Sequence, residues 1–256
     1  MNLEVRNIAC GYAQRTVVRN ISFGLDSGEV FSLLGANGSG KTTLFKAILG
    51  LLRPSEGSVL VDGEDIASWS RRQVARTFAY VPQAHTPPFP FSVRDVVLMA
   101  RAAHLGIVES PGRNDRMIAD ASLETLGIAH LADAHYTEIS GGERQLVLIA
   151  RALAQRSHFL MMDEPTSNLD FGNQVRVLRH IKELAARGFG LLTTTHVPDH
   201  AFLCASRVAV LKDGRLLASG APDDVLTEGS LGAAYGVALR IRLLEGGMRV
   251  CVPEMN

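Results

Sequence analysis

The alternation of apolar and polar positions divides this chain into short strands and amphipathic helices. Residues 3–8 and Val30–Leu34 read as strands, the second an unbroken apolar run that stops abruptly at Gly35. After Lys41, residues Leu44, Ala47, Ile48 and Leu51 recur at the spacing of one helix face, and Gly50 and Pro54 mark its end. Asp62-Gly63 and Asp213-Gly214 lie between short apolar runs and read as tight hairpin turns. Phe159–Met162 and residues 191–195 are further buried strands, with a helix over 174–186 between them. Strands alternating with helices predict a largely parallel sheet covered on both faces.

The pattern changes at residues 84–91, where Pro87, Pro88 and Pro90 forbid regular helix and predict an extended crossing. A mostly helical section follows to about residue 156, opening with an amphipathic helix over 92–101. Burial of Val93, Val96, Val97 and Ala100 accounts for that helix's apolar face. Near the end of the chain, 222–226 and 231–235 read as small helices, and 237–252 as a hairpin turning at Gly246-Gly247. The expected organisation is one domain over 1–256. Its α/β core covers 1–86 and 157–226, with a helical subdomain at 87–156 and a short tail at 227–256.

Composition narrows the class only a little. The 256 residues are enough for one substantial core. Lysine plus arginine and aspartate plus glutamate balance at 26 each, so a dedicated nucleic-acid binder, which carries a basic excess, is disfavoured. Cys10, Cys204 and Cys251 are scattered, which argues against both a disulfide framework and a zinc site. The first residues have neither the basic region nor the apolar run of a signal peptide, and no apolar stretch approaches the ~20 residues that span a bilayer. A cytoplasmic chain is expected, with any membrane role supplied by a partner.

Three motifs carry chemistry. Gly35-Ala36-Asn37-Gly38-Ser39-Gly40-Lys41-Thr42 matches G-x-x-x-x-G-K-[ST] and sits between a strand and a helix, the context such a loop requires. Its glycines let backbone N–H groups turn toward phosphate oxygens at a helix N-terminus, Lys41 adds a point charge, and Thr42 offers a hydroxyl to Mg²⁺. Thr43 extends the same turn. The apolar run Phe159–Met162 then delivers Asp163 and Glu164 at its carboxyl end, where α/β sheets place ligands. Asp163 suits the Mg²⁺ shell, and Glu164 suits the orientation and polarisation of a water. Finally, Ser140-Gly141-Gly142-Glu143 reads locally as a capping box before the apolar face Leu146, Ile149, Ala150 and Leu153. A cap alone needs no paired glycine, whereas an approaching phosphate does.

A P-loop, a Ser-Gly-Gly-Glu element and an Asp-Glu strand end, in that order over about residues 3–220, resemble the ABC ATPase family. The resemblance implies a P-loop NTPase (RecA-like) α/β core, an inserted helical subdomain and an N-terminal antiparallel β subdomain. It implies ATP and Mg²⁺ as cofactors, with Tyr12 stacking on adenine and Gly35, Asn37, Gly38, Ser39, Gly40, Lys41, Thr42 and Thr43 holding the phosphates. Thr42, Gln83 and Asp163 would hold the metal. Glu164, His196 and Gln83 would be catalytic. Ser140, Gly141 and Gly142 would close over the nucleotide of a second copy, and Asp170, in Ser167-Asn168-Leu169-Asp170, would belong to the D-loop crossing that interface. Two positions depart from the usual pattern: Ile139 stands where leucine is common, and Asn168 where alanine is common.

The implied unit is a homodimer docked on integral-membrane permease subunits at the inner face of the cell membrane, meeting a substrate-binding protein only through the permease. The segment after Gln83, over 85–91 with Phe89 and Phe91, is the expected docking surface. Val81-Pro82-Gln83 through Pro88-Phe89-Pro90-Phe91-Ser92-Val93, Asp95-Val96-Val97-Leu98-Met99 and Leu169-Asp170-Phe171-Gly172-Asn173-Gln174 resemble ATPases of metal-chelate importers for iron-siderophore, haem, corrinoid or related cargo. Zinc/manganese and molybdate importers are the near alternatives. A soluble ABC ATPase acting on DNA or ribosomes ranks below them, because only about 98 residues, without sustained heptads, separate Lys41 from Ser140, and the chain holds one ATPase copy. A P-loop kinase would need neither Ser140-Gly141-Gly142 nor His196.

Overall fold

The computed structural model describes residues 1–13, 15–83, 90–106 and 108–255. It contains two compact units, Met1–Trp69 with Ile181–Asn256, and Ser70–His180.

In chain order, the first unit opens with β1 (Asn2–Tyr12), β2 (Arg15–Asp26) and β3 (Val30–Leu34), then α1 (Lys41–Ile48), β4 (Glu56–Val61) and the short β5 (Glu64–Asp65). The second unit follows with α2 (Arg71–Thr77), β6 (Phe78–Val81), α3 (Val93–Leu98), α4 (Arg113–Thr125), α5 (Gly141–Ala154) and β7 (Phe159–Met162). The boundary back to the first unit falls within α6 (Phe171–Ala186). The chain then continues through β8 (Gly190–Thr195), α7 (Pro198–Cys204), β9 (Arg207–Lys212) and β10 (Arg215–Gly220). It closes with α8 (Pro222–Val225), α9 (Glu228–Tyr235), β11 (Leu239–Leu243) and β12 (Arg249–Pro253).

Within the first unit, β2, β1, β4 and β5 form an antiparallel sheet in that order. A second set runs β10-β9-β3-β8, with β3 parallel to both β8 and β9. Every residue of β3 is buried, as its unbroken apolar pattern requires of a central parallel strand. Its one polar side chain, Ser32, meets the Thr193 hydroxyl at 2.8 Å, so the buried pair satisfies itself. Leu34 lies opposite Thr195 in the β3–β8 register. The loop after β3 and the residue after β8 therefore leave the sheet at the same end. Both Asp-Gly turns have positive φ at their two residues, Asp62 with Gly63 and Asp213 with Gly214, as tight hairpins matching the strand twist demand. Residues after Gly220 form two short helices and a hairpin. Val225, Leu226, Leu231 and Ala234 are buried with Leu34, Val208 and Val210, and the hairpin's Leu239, Ile241 and Cys251 pack on that cluster.

Within the second unit, β6 and β7 pair in parallel, with Phe78 stacked on Phe159 at 5.6 Å. Val81 lies opposite Met162, so the residues that follow each strand emerge together. Helices α3, α4 and α5 pack on one another, and Leu146, Ile149, Ala150 and Leu153 are buried on α5. The helix expected over 92–101 is shorter. It ends at Leu98 and tightens into a 3₁₀ turn over Met99–Ala103, a distinction that apolar spacing alone does not resolve. This turn carries the unit's polar anchor. The buried Arg101 guanidinium donates through Nε to Asp115 Oδ1 at 2.8 Å and through NH1 to the Ala154 carbonyl at 2.9 Å. The His104 ring reaches the Gln155 carbonyl at 2.7 Å. Together they engage the carbonyls left open at the end of α5.

Asp115→Ala strands the Arg101 charge in a buried setting and should cost about 3 kcal/mol, read as a lower urea midpoint with unchanged slope. The Arg101 hydrogen bond, aided by the Gly112 N–H, holds the Asp115 carboxyl below its usual range. Its contribution is therefore complete above the free-carboxylate range of about 4 and is lost as pH falls through the lower folded value. The gap between wild type and variant should narrow in acid. A constant gap down to low pH would contradict the ion-pair account.

Candidate nucleotide site

The P-loop joins β3 to α1 in the first unit. Gly40 is the N-cap of α1, with φ of 109°, a backbone that side chains other than hydrogen rarely adopt. A Cβ there would also lie 2.6 Å from Val18 Cγ1. Lys41 is buried, and its ammonium folds back on the loop, donating to the Gly35 carbonyl at 2.7 Å and the Ala36 carbonyl at 3.2 Å. Ser39 is buried, and its hydroxyl has no hydrogen-bond partner among the described residues. Asn37 and Thr42 are exposed, whereas Thr43 is buried. The arrangement is a cation, a buried hydroxyl without a partner among the described residues and the N–H groups of a helix start, all on one loop. It fits a phosphate.

His196 stands exposed at the end of β8. The turn that presents it is fixed by the Val197 N–H bonding the Thr195 hydroxyl at 3.0 Å, with Pro198 starting α7. Tyr12, at the end of β1, is about half exposed, so it is not the core-packing residue that a strand-end tyrosine often is. Lys46 donates to its hydroxyl at 3.2 Å and lies 5.5 Å from the ring centroid. A base stacking on this ring would share it with that cation.

In the second unit, Asp163 and Glu164 follow β7 and are both buried. The Asp163 N–H extends the strand pairing to the Val81 carbonyl at 2.9 Å. Glu164 has left-handed backbone, φ 48°, a conformation uncommon for a residue with a Cβ and one that turns the chain sharply. Gln83 donates its amide to Glu164 Oε2 at 3.1 Å. The two residues expected to handle the attacking water thus touch, although 81 positions separate them. Tyr80 was given no role by sequence reasoning. Its hydroxyl lies 3.5 Å from Asp163 Oδ2, and burial, then the Asp163 charge, push it up to about 12.

The same unit holds the signature turn, Ser140-Gly141-Gly142-Glu143. Ser140 accepts from the Glu143 N–H at 3.3 Å, and Glu143 accepts from the Ser140 N–H at 2.8 Å, the full capping box. The local cap and the paired glycines therefore coexist. The glycines differ, however. Space around Gly141 is open, whereas a Cβ on Gly142 would lie 2.3 Å from the Asn173 side chain. Asp170 caps α6, accepting from the Asn173 N–H at 2.9 Å and its amide at 2.7 Å. Asn168 has φ 59°, a conformation asparagine tolerates better than alanine, which gives this departure from the usual pattern a backbone reason.

The ABC transporter family model matches residues 18–167 of this chain, which include the P-loop, Gln83, the Ser140 turn, Asp163 and Glu164. The chain belongs to the ABC transporter family. It is 44% identical to an ABC transporter ATP-binding protein of Haemophilus influenzae, over 92% of this chain and 89% of that one. It is 38% identical to the hemin import ATP-binding protein HmuV of Gloeobacter violaceus, over 92% and 87%. An iron chelatin transport ATP-binding protein of Helicobacter pylori is 37% identical, over 93% and 94%. Among solved structures, a chain of a metal-chelate type ABC transporter in an inward-facing conformation superposes with a TM-score of 0.89 and 31% identity, over 99% of this chain and 98% of that one. The α/β P-loop architecture with its antiparallel β sheet is thus that of an ABC ATPase.

Two features of this ABC ATPase lay beyond sequence reasoning. His200, which no sequence motif singles out, is partly buried on α7. Burial holds its imidazole below the usual range, and the charge of His196 adds to that effect against Asp199. Asp199 in turn accepts from the Cys251 N–H at 2.8 Å, tying α7 to β12. The docking segment expected over 85–91 lies outside the described residues except for Pro90 and Phe91. Phe91 accepts from the Tyr136 N–H at 3.0 Å, and a bridge joins Ser92 to His135. Among the described residues, no helix is long and apolar enough to cross a membrane.

Proposed function

We propose that this chain is the ATP-hydrolysing subunit of a membrane importer for an iron chelate or haem. The observation that carries the reading is the joint presence of phosphate loop, acidic strand end and glycine-paired helix start in a chain that matches a metal-chelate type transporter over 99% of its length. The hemin and iron chelatin relatives support the same cargo class.

On this reading, Lys41, the Ser39 hydroxyl and the loop N–H groups bind the ATP phosphates, and Tyr12 lies against the adenine. Thr42, Asp163 and Gln83 would hold Mg²⁺, which supplies charge neutralisation on the phosphates. Among the described residues, no group of three or more acidic, histidine or cysteine side chains forms a metal cage. A cation held by one carboxylate, few neutral oxygens and phosphate is the usual arrangement for Mg²⁺ on a nucleotide. Glu164, oriented by Gln83, accepts the proton of the attacking water, and His196 contacts the terminal phosphate. Ser140, Gly141 and Gly142 of one copy close the site of a second, so the active unit is a homodimer. It works on the inner face of the membrane, docked on a permease that alone meets the binding protein. Catalysis is mainly positioning and electrostatics.

The test is a pull-down of tagged Glu164→Gln protein, with ATP, from detergent-solubilised native membranes, followed by mass spectrometry. A polytopic permease should co-purify. Recovery of only soluble proteins or nucleic acid would overturn the transport reading.

A further inference from the structure

The space above Gly142 is filled by Asn173. A Cβ on Gly142 would sit 2.3 Å from both Cγ and Nδ2 of that side chain, whereas Gly141 meets nothing within 4 Å. The same Asn173 amide donates to Asp170 Oδ2 at 2.7 Å while its backbone N–H donates to Asp170 Oδ1 at 2.9 Å. One side chain thus touches the signature turn on one side and grips the D-loop carboxylate on the other. Glu143, in the same turn as Gly142, is held below its usual range chiefly by the Ser140 hydroxyl and N–H. A plain helix cap at Asp170 would need only the backbone N–H of Asn173. It would not require the amide to bridge back, nor Gly142 to be bare.

We propose that Asn173 is a positioning residue that couples the D-loop to the signature turn, so that Asp170 and Gly142 are presented to a second copy of this chain in fixed register. The amide is the working part. Nδ2 must donate to Asp170, and the amide must occupy the space that a Cβ on Gly142 would take. Asn173→Ala removes both contacts. Asn173→Asp keeps the shape over Gly142 but sets a second carboxylate against Asp170, and like charges at this range repel. Both substitutions lie on a partly exposed helix start. This inference rests on the dimer reading above, because the register matters only if the two elements meet a partner together.

The experiment places each substitution in the Glu164→Gln background and follows ATP-driven dimer formation by sizing chromatography coupled to light scattering. Binding of a fluorescent ATP analogue to the monomer and thermal unfolding are measured in parallel. The ATP concentration for half-dimerisation should rise about tenfold for Asn173→Ala, the scale of one charge-assisted hydrogen bond, and further for Asn173→Asp. Monomer nucleotide affinity should stay at the parent value, and the unfolding temperature should fall only by the few degrees that one partly exposed intrachain hydrogen bond supplies. If the parent Glu164→Gln protein itself forms no ATP-dependent dimer, the dimer reading falls and this inference with it. If the parent dimerises and Asn173→Asp does so at the same ATP concentration, the dimer reading stands and the coupling role is overturned. A dimerisation loss matched by an equal loss of monomer nucleotide affinity, or a variant already unfolding at the assay temperature, would also overturn it, reducing Asn173 to a structural cap.

Discussion

Glu164→Gln should lower ATP turnover by about 10²–10⁴-fold, the range lost when a positioned general base is removed, while ATP binding persists. The geometry makes this substitution unusually clean. Glu164 is buried at the end of β7 and already accepts an amide hydrogen from Gln83 at 3.1 Å. A glutamine side chain keeps a carbonyl oxygen for that bond and fills the same volume. What it loses is the charge and lone pair needed to take a proton from water. The left-handed backbone at this position is no harder for glutamine than for glutamate, so stability should change little. A coupled phosphate-release assay on purified protein, paired with equilibrium ATP binding, separates the two effects. Near-normal turnover would mean that Glu164 serves only to hold Gln83. Loss of binding together with turnover would mean that the carboxylate supports the nucleotide rather than the water.

The parts of this site legible in the sequence are those encoded locally. The apolar run Val30–Leu34 has no interpretation but a buried strand, and the glycines after it have none but a turn into a helix. The Asp-Gly pairs announced their hairpins because few dipeptides accept positive φ at both positions. Ser140 and Glu143 sit at capping-box spacing, and the box forms. Contacts across the fold are a different matter. Nothing near Asn173 in the sequence points to Gly142, because the glycine is bare on account of a side chain 31 positions away (173 − 142). Arg101 and Asp115 look like ordinary surface charges until the 3₁₀ turn buries them against the end of α5. Apolar spacing finds which face of a segment is covered. It does not find which polar groups the covering traps, and these are the groups whose loss costs most.

The same contrast bears on the phosphate loop, where sequence and geometry make separate demands on one residue. Lys41→Ala should weaken ATP binding about 100-fold or more, since removing a charged donor from phosphate forfeits roughly 3 kcal/mol. The ammonium is buried and satisfied by the Gly35 and Ala36 carbonyls, so it is held within the loop rather than swinging in solvent. Its entropy is largely lost before nucleotide arrives, and a phosphate oxygen has only to join or replace a carbonyl partner. Lys41→Arg should fail almost as badly. The planar guanidinium is too broad for a cradle in which a Cβ on Gly35 would meet the Leu211 carbonyl at 2.4 Å and the Ser39 hydroxyl at 2.7 Å. Thermal unfolding with and without Mg-ATP gives a direct reading, because a ligand that binds only the folded chain raises its melting temperature by mass action. Wild type should shift upward with ATP, and both Lys41 variants should not. A full ATP-dependent shift in Lys41→Ala would remove the lysine from phosphate binding and leave the loop N–H groups and Ser39 to account for it.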